Sequence, residues 1–318
     1  MPKVALRLAA LMLAAPILPA HAAMFLLAPG GAAIGTLGSY TTQAQDTFPD
    51  IARRYDLGYT QLVAANRRID PWLPGQGTRV VLPSFYLLPD APRRGIVVNL
   101  AAQRLYYFPP KSGKVETFPI GIGVQGWATP AGMTRVVAKV KDPTWYPPPS
   151  IRAQHPDLPR AIPPGPDDPL GDYALRLGWS DYLIHGTNKP DSVGRRVSHG
   201  CLHLYPADIE RLFNEVPVGT PVRVINQQVE TGWIGRQLYV AVHPSLRMVD
   251  AIDLGESVTP EPPSDLMARV AAAAGNAANR VDWAEVKRIG LAQSGIPTPV
   301  LQSSQQVLVS EAPSSPEP

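Results

Sequence analysis

Proline is the residue that most restricts how this chain can fold. There are 37 prolines among 318 residues, and each fixes one backbone dihedral and removes one hydrogen-bond donor. That density argues against a helix-rich architecture and for many turns, loops and at least one non-globular stretch. Hydrophobic residues still make up 45% of the chain, enough for a core, and the length suits two domains or one with appendages.

Between Gly95 and Ile225 the pattern is one of short strands separated by Gly/Pro turns. Ile96–Leu100, Arg104–Phe108, Thr117–Ile120, Arg135–Ala138, Tyr182–Ile184 and Val222–Ile225 read as strands of a β-sandwich or barrel-like sheet. One helix stands out: Pro206 lies in its first turn, and Ile209, Leu212, Phe213 and Val216 follow at helical spacing, as expected of a helix that covers the sheet. Ahead of this region, Ser39 to Pro83 reads as a small unit of its own. Tyr40-Thr41-Thr42 is β-prone, and Thr47 with Asp50 resembles a capping box. Phe48, Ile51, Ala52 and Tyr55 share one helical face, a second helix runs from Thr60 to Ala65, and Arg79 to Leu82 forms a closing strand. The expected fold is therefore a mainly β domain with one covering helix, preceded by a small βααβ unit.

The remaining boundaries follow from composition. Lys3 and Arg7, the apolar run Leu8–Leu18 and Ala20-His21-Ala22 read as a cleavable export signal over residues 1–22. The run is too short to span a bilayer, so no membrane span is expected after signal removal. Residues 38–83 are the βααβ unit, 84–94 a linker and 95–226 the main β domain. A C-terminal extension is expected at 227–255, then at 256–318 a Pro/Ser-rich linker, an Ala-rich helix and a disordered tail. The net charge of +3 comes without a basic run or an aromatic-interleaved basic stripe, which gives no support to nucleic-acid binding.

Chemistry centres on the single cysteine, Cys201. Exported proteins commonly pair their cysteines, and a lone thiol is either buried and inert or useful. A thiol becomes a strong nucleophile when a base can take its proton. His199 lies two residues away, which on an extended segment is the same face, and His185 ends a strand that could neighbour Cys201. Gly186 and Gly200 permit tight turns and close approach of a substrate. His185, His199, Cys201 and His203 lack paired metal-ligand spacing, so no metal is expected.

The run Ile184-His185-Gly186-Thr187-Asn188 with Arg196-Val197-Ser198-His199-Gly200-Cys201-Leu202 closely resembles the signature of bacterial L,D-transpeptidases. Pro119–Gly123, Thr129–Gly132, Pro143-Thr144-Trp145, Gly165–Gly171 and Val216–Thr220 agree with it. The unit at 38–83, with Gln45-Asp46-Thr47, Asn66 and Leu73-Pro74-Gly75, resembles a LysM domain, a glycan-binding module. These resemblances imply a periplasmic enzyme without a cofactor, acting on peptidoglycan. Cys201 would be the nucleophile on tetrapeptide stems and His185 the proton donor and acceptor. His199 would shape the site, and Ser198, Gly186 and Gly200 would set the backbone. His203, Arg196, Asn188 and Trp145 are the expected substrate-binding residues. The acyl acceptor would be a second stem or an outer-membrane protein; a hydrolase using the same thioester, or a weakly active peptidoglycan-binding scaffold, are the alternatives. One position departs from the family, which usually has Arg where this chain has His203. Arg grips carboxylates permanently and His does not, so there are two readings: His203 weakens carboxylate anchoring or makes it pH-dependent, or the change is neutral and a nearby Arg such as Arg195 or Arg196 fills in.

Overall fold

The computed structural model describes residues 23–302; the expected export signal at 1–22 and the tail expected to be disordered after 302 lie outside the described residues. Two short strands come first, β1 (Ala23–Leu26) and β2 (Ala33–Gly35). The next segment has the order β3 (Gly38–Thr41), α1 (Phe48–Arg54), α2 (Tyr59–Ala65), β4 (Arg79–Leu82), with β3 and β4 antiparallel. Thr47 starts α1: its hydroxyl accepts the Asp50 N–H at 3.4 Å and donates to the Asp50 carboxylate at 2.7 Å, satisfying an otherwise orphaned helix donor. Phe48, Ile51, Leu57 and Leu62 bury against Val80 and Leu82. Asn66, at the end of α2, stitches helix to strand. Its amide donates to the carbonyls of Leu62 and Val81, and its Oδ1 accepts the Val81 N–H.

Residues 84–94 do not form the free linker expected of them. β5 (Phe85–Leu87) pairs with β2, and Tyr86 and Leu88 bury against Val97, Tyr106, Phe108 and Val115. The reason lies in β6 (Gly95–Asn99), β7 (Arg104–Phe108) and β8 (Lys114–Pro119), whose residues are buried on both faces. Two-sided burial needs two covers, and the supposed linker is one of them.

The other cover is the main core. The chain continues through β9 (Ile122–Gly123), β10 (Gly132–Lys141), α3 (Pro149–Gln154), β11 (Tyr173–Leu177) and β12 (Leu183–His185). It then runs through β13 (Arg196–Ser198), β14 (Leu202–His203), α4 (Pro206–Glu215) and β15 (Pro221–Ile225). Nine strands form a single sheet in the order β1-β8-β7-β6-β15-β10-β11-β12-β14. Most pairs are antiparallel; β6 with β15 and β12 with β14 are parallel. Ile96, Val98, Leu105 and Phe118 from one end of the sheet meet Leu175, Ile184 and Leu202 from the other in one core. A sheet whose ends share a core must curl. Ile209, Leu212 and Val216 put α4 over that core, the role expected of the covering helix.

The C-terminal boundaries differ from those expected. β16 (Val229–Ile234), β17 (Gln237–Val242), α5 (Leu246–Leu254), α6 (Leu266–Ala274), α7 (Trp283–Ala292) and β18 (Thr298–Pro299) follow. Leu266, Val270, Val286 and Ile289 pack onto Val229, Leu238, Val240 and Val242. Residues either side of Glu256 thus share one core, because β16 and β17 alone would leave an apolar face in water. The Ala-rich stretch from Asp265 to Ile289 is two helices, α6 ending at Gly275 and α7 starting at Asp282, whose carboxylate caps it by accepting the Glu285 N–H at 3.0 Å.

The βααβ unit docks tightly on the main domain just upstream of Cys201. Tyr59 and Thr60, at the start of α2, donate their N–H groups to the carbonyls of Val193 and Gly194. Gly194 has φ +80°, and a Cβ there would overlap the backbone of Gly58 and Tyr59. Gly194→Ala should therefore lower the thermal midpoint by the equivalent of about 2 kcal/mol more than Gly77→Ala. Gly77 has a similar φ of +81° but open space around it; equal losses would mean that the close approach is not needed for stability.

Candidate active site

The parallel pairing of β12 with β14 matches Ile184 to Leu202 and His185 to His203. Cys201 immediately precedes β14, so the thiol-bearing segment and the His185 strand are direct neighbours in the sheet. Cys201 Sγ donates to the Asp181 carbonyl at 3.6 Å. Burial pushes the thiol above its ordinary value, the Leu183 N–H pulls it back, and the Asp181 carboxylate adds to the rise. At neutral pH the resting sulfur is a thiol.

His185 is buried, and its Nδ1 lies 2.6 Å from the Gly186 carbonyl oxygen. A carbonyl only accepts, so a proton on Nδ1 satisfies this contact, and the Leu170 carbonyl is a second acceptor at the ring. Burial is the main reason that His185 is held down to about 3; the neighbouring His203 adds to the effect, and the carbonyls of Gly186 and Leu170 oppose it. Among the described residues, Cys201 and His185 share no direct hydrogen bond. The resting site is a neutral thiol beside a neutral base, with the proton still to be moved.

Residues 199–201 form a turn rather than a strand, so the same-face argument for His199 does not apply. Gly200 has φ +102°, and a Cβ there would press on the Tyr182 ring. The turn is pinned by Ser198, whose hydroxyl donates to the Cys201 carbonyl at 2.6 Å and accepts the Gly200 N–H at 3.2 Å. Thr129, for which the sequence suggested no role of its own, completes it: its hydroxyl donates to the Gly200 carbonyl at 2.9 Å and accepts the Gly123 N–H at 3.3 Å. Its place in the Thr129–Gly132 run that agrees with the family resemblance was the available signal. The His199 ring turns onto exposed Trp127, with centroids 5.1 Å apart.

Two of the expected substrate-binding residues are occupied by the protein itself. Arg196 is buried; its Nη1 donates to both carboxylate oxygens of Asp250, at 2.7 and 2.6 Å, and to the Leu246 carbonyl, while Nε donates to the Gly123 carbonyl. It is a clamp: its buried guanidinium is engaged by the protein through Nε and Nη1. His203 is 4% exposed, its Nε2–H donates to the Ser192 carbonyl at 3.0 Å, and its ring lies flat where a side chain at Gly121 would be. Burial holds it down to about 4, so it is neutral at physiological pH and is not the pH-dependent carboxylate anchor expected. Trp145 is half-buried in the β10–β11 connection, bridged to Ile162. Asn188 does line a cleft, of about 500 Å³, together with Asp168, Asp172, Gly186, Thr187 and Ile209.

The two buried imidazoles make stability depend on pH in a definite direction. Their ordinary value is 6.5, and folding lowers it to about 3 for His185 and about 4 for His203. A base depressed in the folded state stabilises fully above its unfolded value and loses that contribution as pH falls toward the folded one. The thermal midpoint should drop between pH 6.5 and 4, and His203→Gln should remove up to roughly 3 kcal/mol of that dependence. The pH–rate profile above neutrality should not change in that variant; a change there would return His203 to the substrate.

Comparison with known proteins identifies the family of the domain that carries these residues. A family model described as the L,D-transpeptidase catalytic domain, YkuD, matches residues 93–224. The probable L,D-transpeptidase ErfK/SrfK of Escherichia coli K12 is 44% identical over 200 residues, 61% of this chain and 63% of its own length. The match thus spans a little under two thirds of that relative. From the same organism, the probable L,D-transpeptidases YcfS and YbiS are 40% and 39% identical, over 67% and 71% of this chain and 70% and 74% of their own lengths. With its matched domain coinciding with the curled sheet that carries Cys201 and His185, the chain belongs to the L,D-transpeptidase family.

Proposed function

We propose that this chain is a cysteine-dependent L,D-transpeptidase of the cell wall, with Cys201 as nucleophile and His185 as the proton-transfer residue. The observation that carries the reading is the parallel pairing of β12 with β14, which sets the buried His185 imidazole in the strand next to the one that Cys201 leads into. Cys201 Sγ attacks the carbonyl carbon between diaminopimelate and the terminal D-alanine of a tetrapeptide stem. The S–C bond forms, the C–N bond breaks, and the proton taken from sulfur by His185 goes to the departing D-alanine amine. An acceptor amine then reverses the sequence: the new C–N bond forms as the C–S bond breaks, and sulfur recovers a proton through His185. The chemistry needs no metal or organic cofactor.

The family resemblance of residues 38–83 supports reading the βααβ unit as a LysM module that holds glycan strands, and residues 1–22 as a signal that exports the enzyme to the periplasm. Ser198, Thr129 and Gly200 would hold the nucleophile's turn, and His199 on Trp127 would border the substrate. Asn188, and Trp145 in the connection that carries it, remain candidates for substrate contact.

Purified protein incubated with tetrapeptide muropeptides, with products read by mass spectrometry, tests this directly. The expected result is a thioester adduct on Cys201, release of D-alanine and cross-linked or amine-exchanged products, all abolished by Cys201→Ala. His185→Gln should slow thioester formation by roughly 10²- to 10⁴-fold. Shortened stems without transfer would mean that water is the acceptor, and absence of any Cys201-dependent product would leave only wall binding.

A further inference from the structure

The turn that joins β11 to β12 lies against the nucleophile's own turn at three points. The Asp181 carbonyl accepts the Cys201 S–H at 3.6 Å. The Leu183 N–H, two residues on, is the donor that favours the thiolate form of the same sulfur. The Tyr182 ring lies so near Gly200 that a Cβ there would come within 2.8 Å of it. One short stretch of chain thus offers the sulfur an acceptor for its proton and a donor for its negative charge.

Asp181 sets the direction of that stretch. Its φ is +67°, in the left-handed region that glycine enters freely, Asp tolerates better than most residues and β-branched residues avoid. The turn is also held from outside: Gly178 donates its N–H to the Arg135 carbonyl of β10 at 2.9 Å, and Leu177 donates to the Tyr182 carbonyl at 3.0 Å. The Trp179 and Tyr182 rings meet edge to face, with centroids 6.0 Å apart. The Asp181 side chain is exposed, and its carboxylate accepts the Ser180 hydroxyl at 3.0 Å. The other titratable side chains around the sulfur are His185 on β12, His203 on β14 and His199 in the turn. Burial keeps the first two neutral at physiological pH, and His199 turns onto Trp127. Among the described residues, Asp181 is the one charged side chain that acts on the sulfur.

We propose that Asp181 is the positioning residue of the nucleophile: its left-handed backbone parks the thiol proton on its own carbonyl, and its carboxylate keeps the sulfur protonated until substrate is bound. The inference rests on the transpeptidase reading above and adds what holds Cys201 at rest. In the attack the S–H bond breaks and its proton goes to His185, while the sulfur's electron pair forms the S–C bond. The Leu183 N–H steadies the charge that builds on sulfur before that bond is complete. The backbone and the side chain of Asp181 therefore do different things. The carbonyl aims the sulfur, and any residue that accepts a left-handed φ supplies it. The carboxylate biases the proton, and only a negative charge supplies that.

Two measurements on the full chain separate these effects. Iodoacetamide, an uncharged electrophile, can alkylate only one cysteine here, and its rate is followed by mass spectrometry across the titration of the thiol. At low salt Asp181→Asn, which also tolerates a left-handed φ, should react about threefold faster below the midpoint, with the midpoint moved to lower pH. High salt should speed the wild type toward the variant, because an exposed charge is screened and an amide has none to screen. The second measurement is D-alanine release from a tetrapeptide stem. Asp181→Val should lower kcat about tenfold with little change in KM, and Asp181→Gly, which regains the left-handed backbone, should recover most of that loss. Superposed alkylation profiles for wild type and Asp181→Asn at low salt would overturn the inference, as would equal kcat values for the Val and Gly variants. Alkylation needs no turnover and no Val variant. If the wild type releases no D-alanine, the transpeptidase reading fails, and the alkylation profiles still decide the role of Asp181.

Discussion

The Arg196–Asp250 pair is the contact on which the geometry of the site depends. Arg196 sits five residues before Cys201, and its guanidinium binds the Asp250 carboxylate from α5 and two backbone carbonyls. Its own N–H donates to Asp253, one helical turn further on at 3.1 Å. The preceding residue, Arg195, pairs with the same Asp253 and lays its guanidinium over the Tyr59 ring of the βααβ unit, 3.4 Å from the ring centre. Gly194 meets Gly58 backbone to backbone. Three consecutive residues therefore fasten the segment leading to the nucleophile to two different parts of the molecule. A buried ion pair adds little net stability, because desolvation consumes most of the attraction. What it supplies is a single geometry, and a nucleophile needs that more than it needs stability.

The imidazole is buried and the thiol half-buried, and both stay neutral. Burial raises the Cys201 thiol and lowers His185. A standing thiolate–imidazolium pair is thus not the resting state; the proton moves as the substrate carbonyl is attacked. This also slows oxidation of a lone cysteine, since a thiol is oxidised far more slowly than a thiolate. It also means that the activating charge must arrive with the substrate.

What was legible in the sequence was whatever local periodicity and turn chemistry decide. The strands around Val97, Tyr106 and Ile184, the Thr47 cap and the α4 stripe all rest on neighbours within a few residues. Partners from far along the chain were not legible. His203 looked like a substrate ligand because it stands where the family usually has Arg, and Arg196 because it is a nearby Arg that could fill in; nothing local reveals that Asp250 or the Ser192 carbonyl lies waiting. Residues 84–94 look like a linker until one knows that β6 to β8 are buried on both faces. His199 was misjudged for a different reason: alternation along a strand was applied to a segment that Gly200 turns into a bend.

The same long-range contacts bear on how the two units work together. Tyr205, at the start of α4, donates its hydroxyl to the Leu57 carbonyl at 3.0 Å. Buried Arg104 of β7 donates to the Asp56 carbonyl and to Gln61 Oε1, and its guanidinium lies 4.2 Å from the centre of the Tyr86 ring. With the Gly58–Gly194 contact, these bonds bind the βααβ unit to the sheet along a buried seam, where a tethered module would need only a flexible linker. A polymer gripped by such a tethered module would raise the local concentration of substrate and nothing else. On the proposed LysM reading, a polymer gripped by the docked unit would be held at a fixed angle and distance from Cys201, and its grip would then decide which of its side branches reach the thiol.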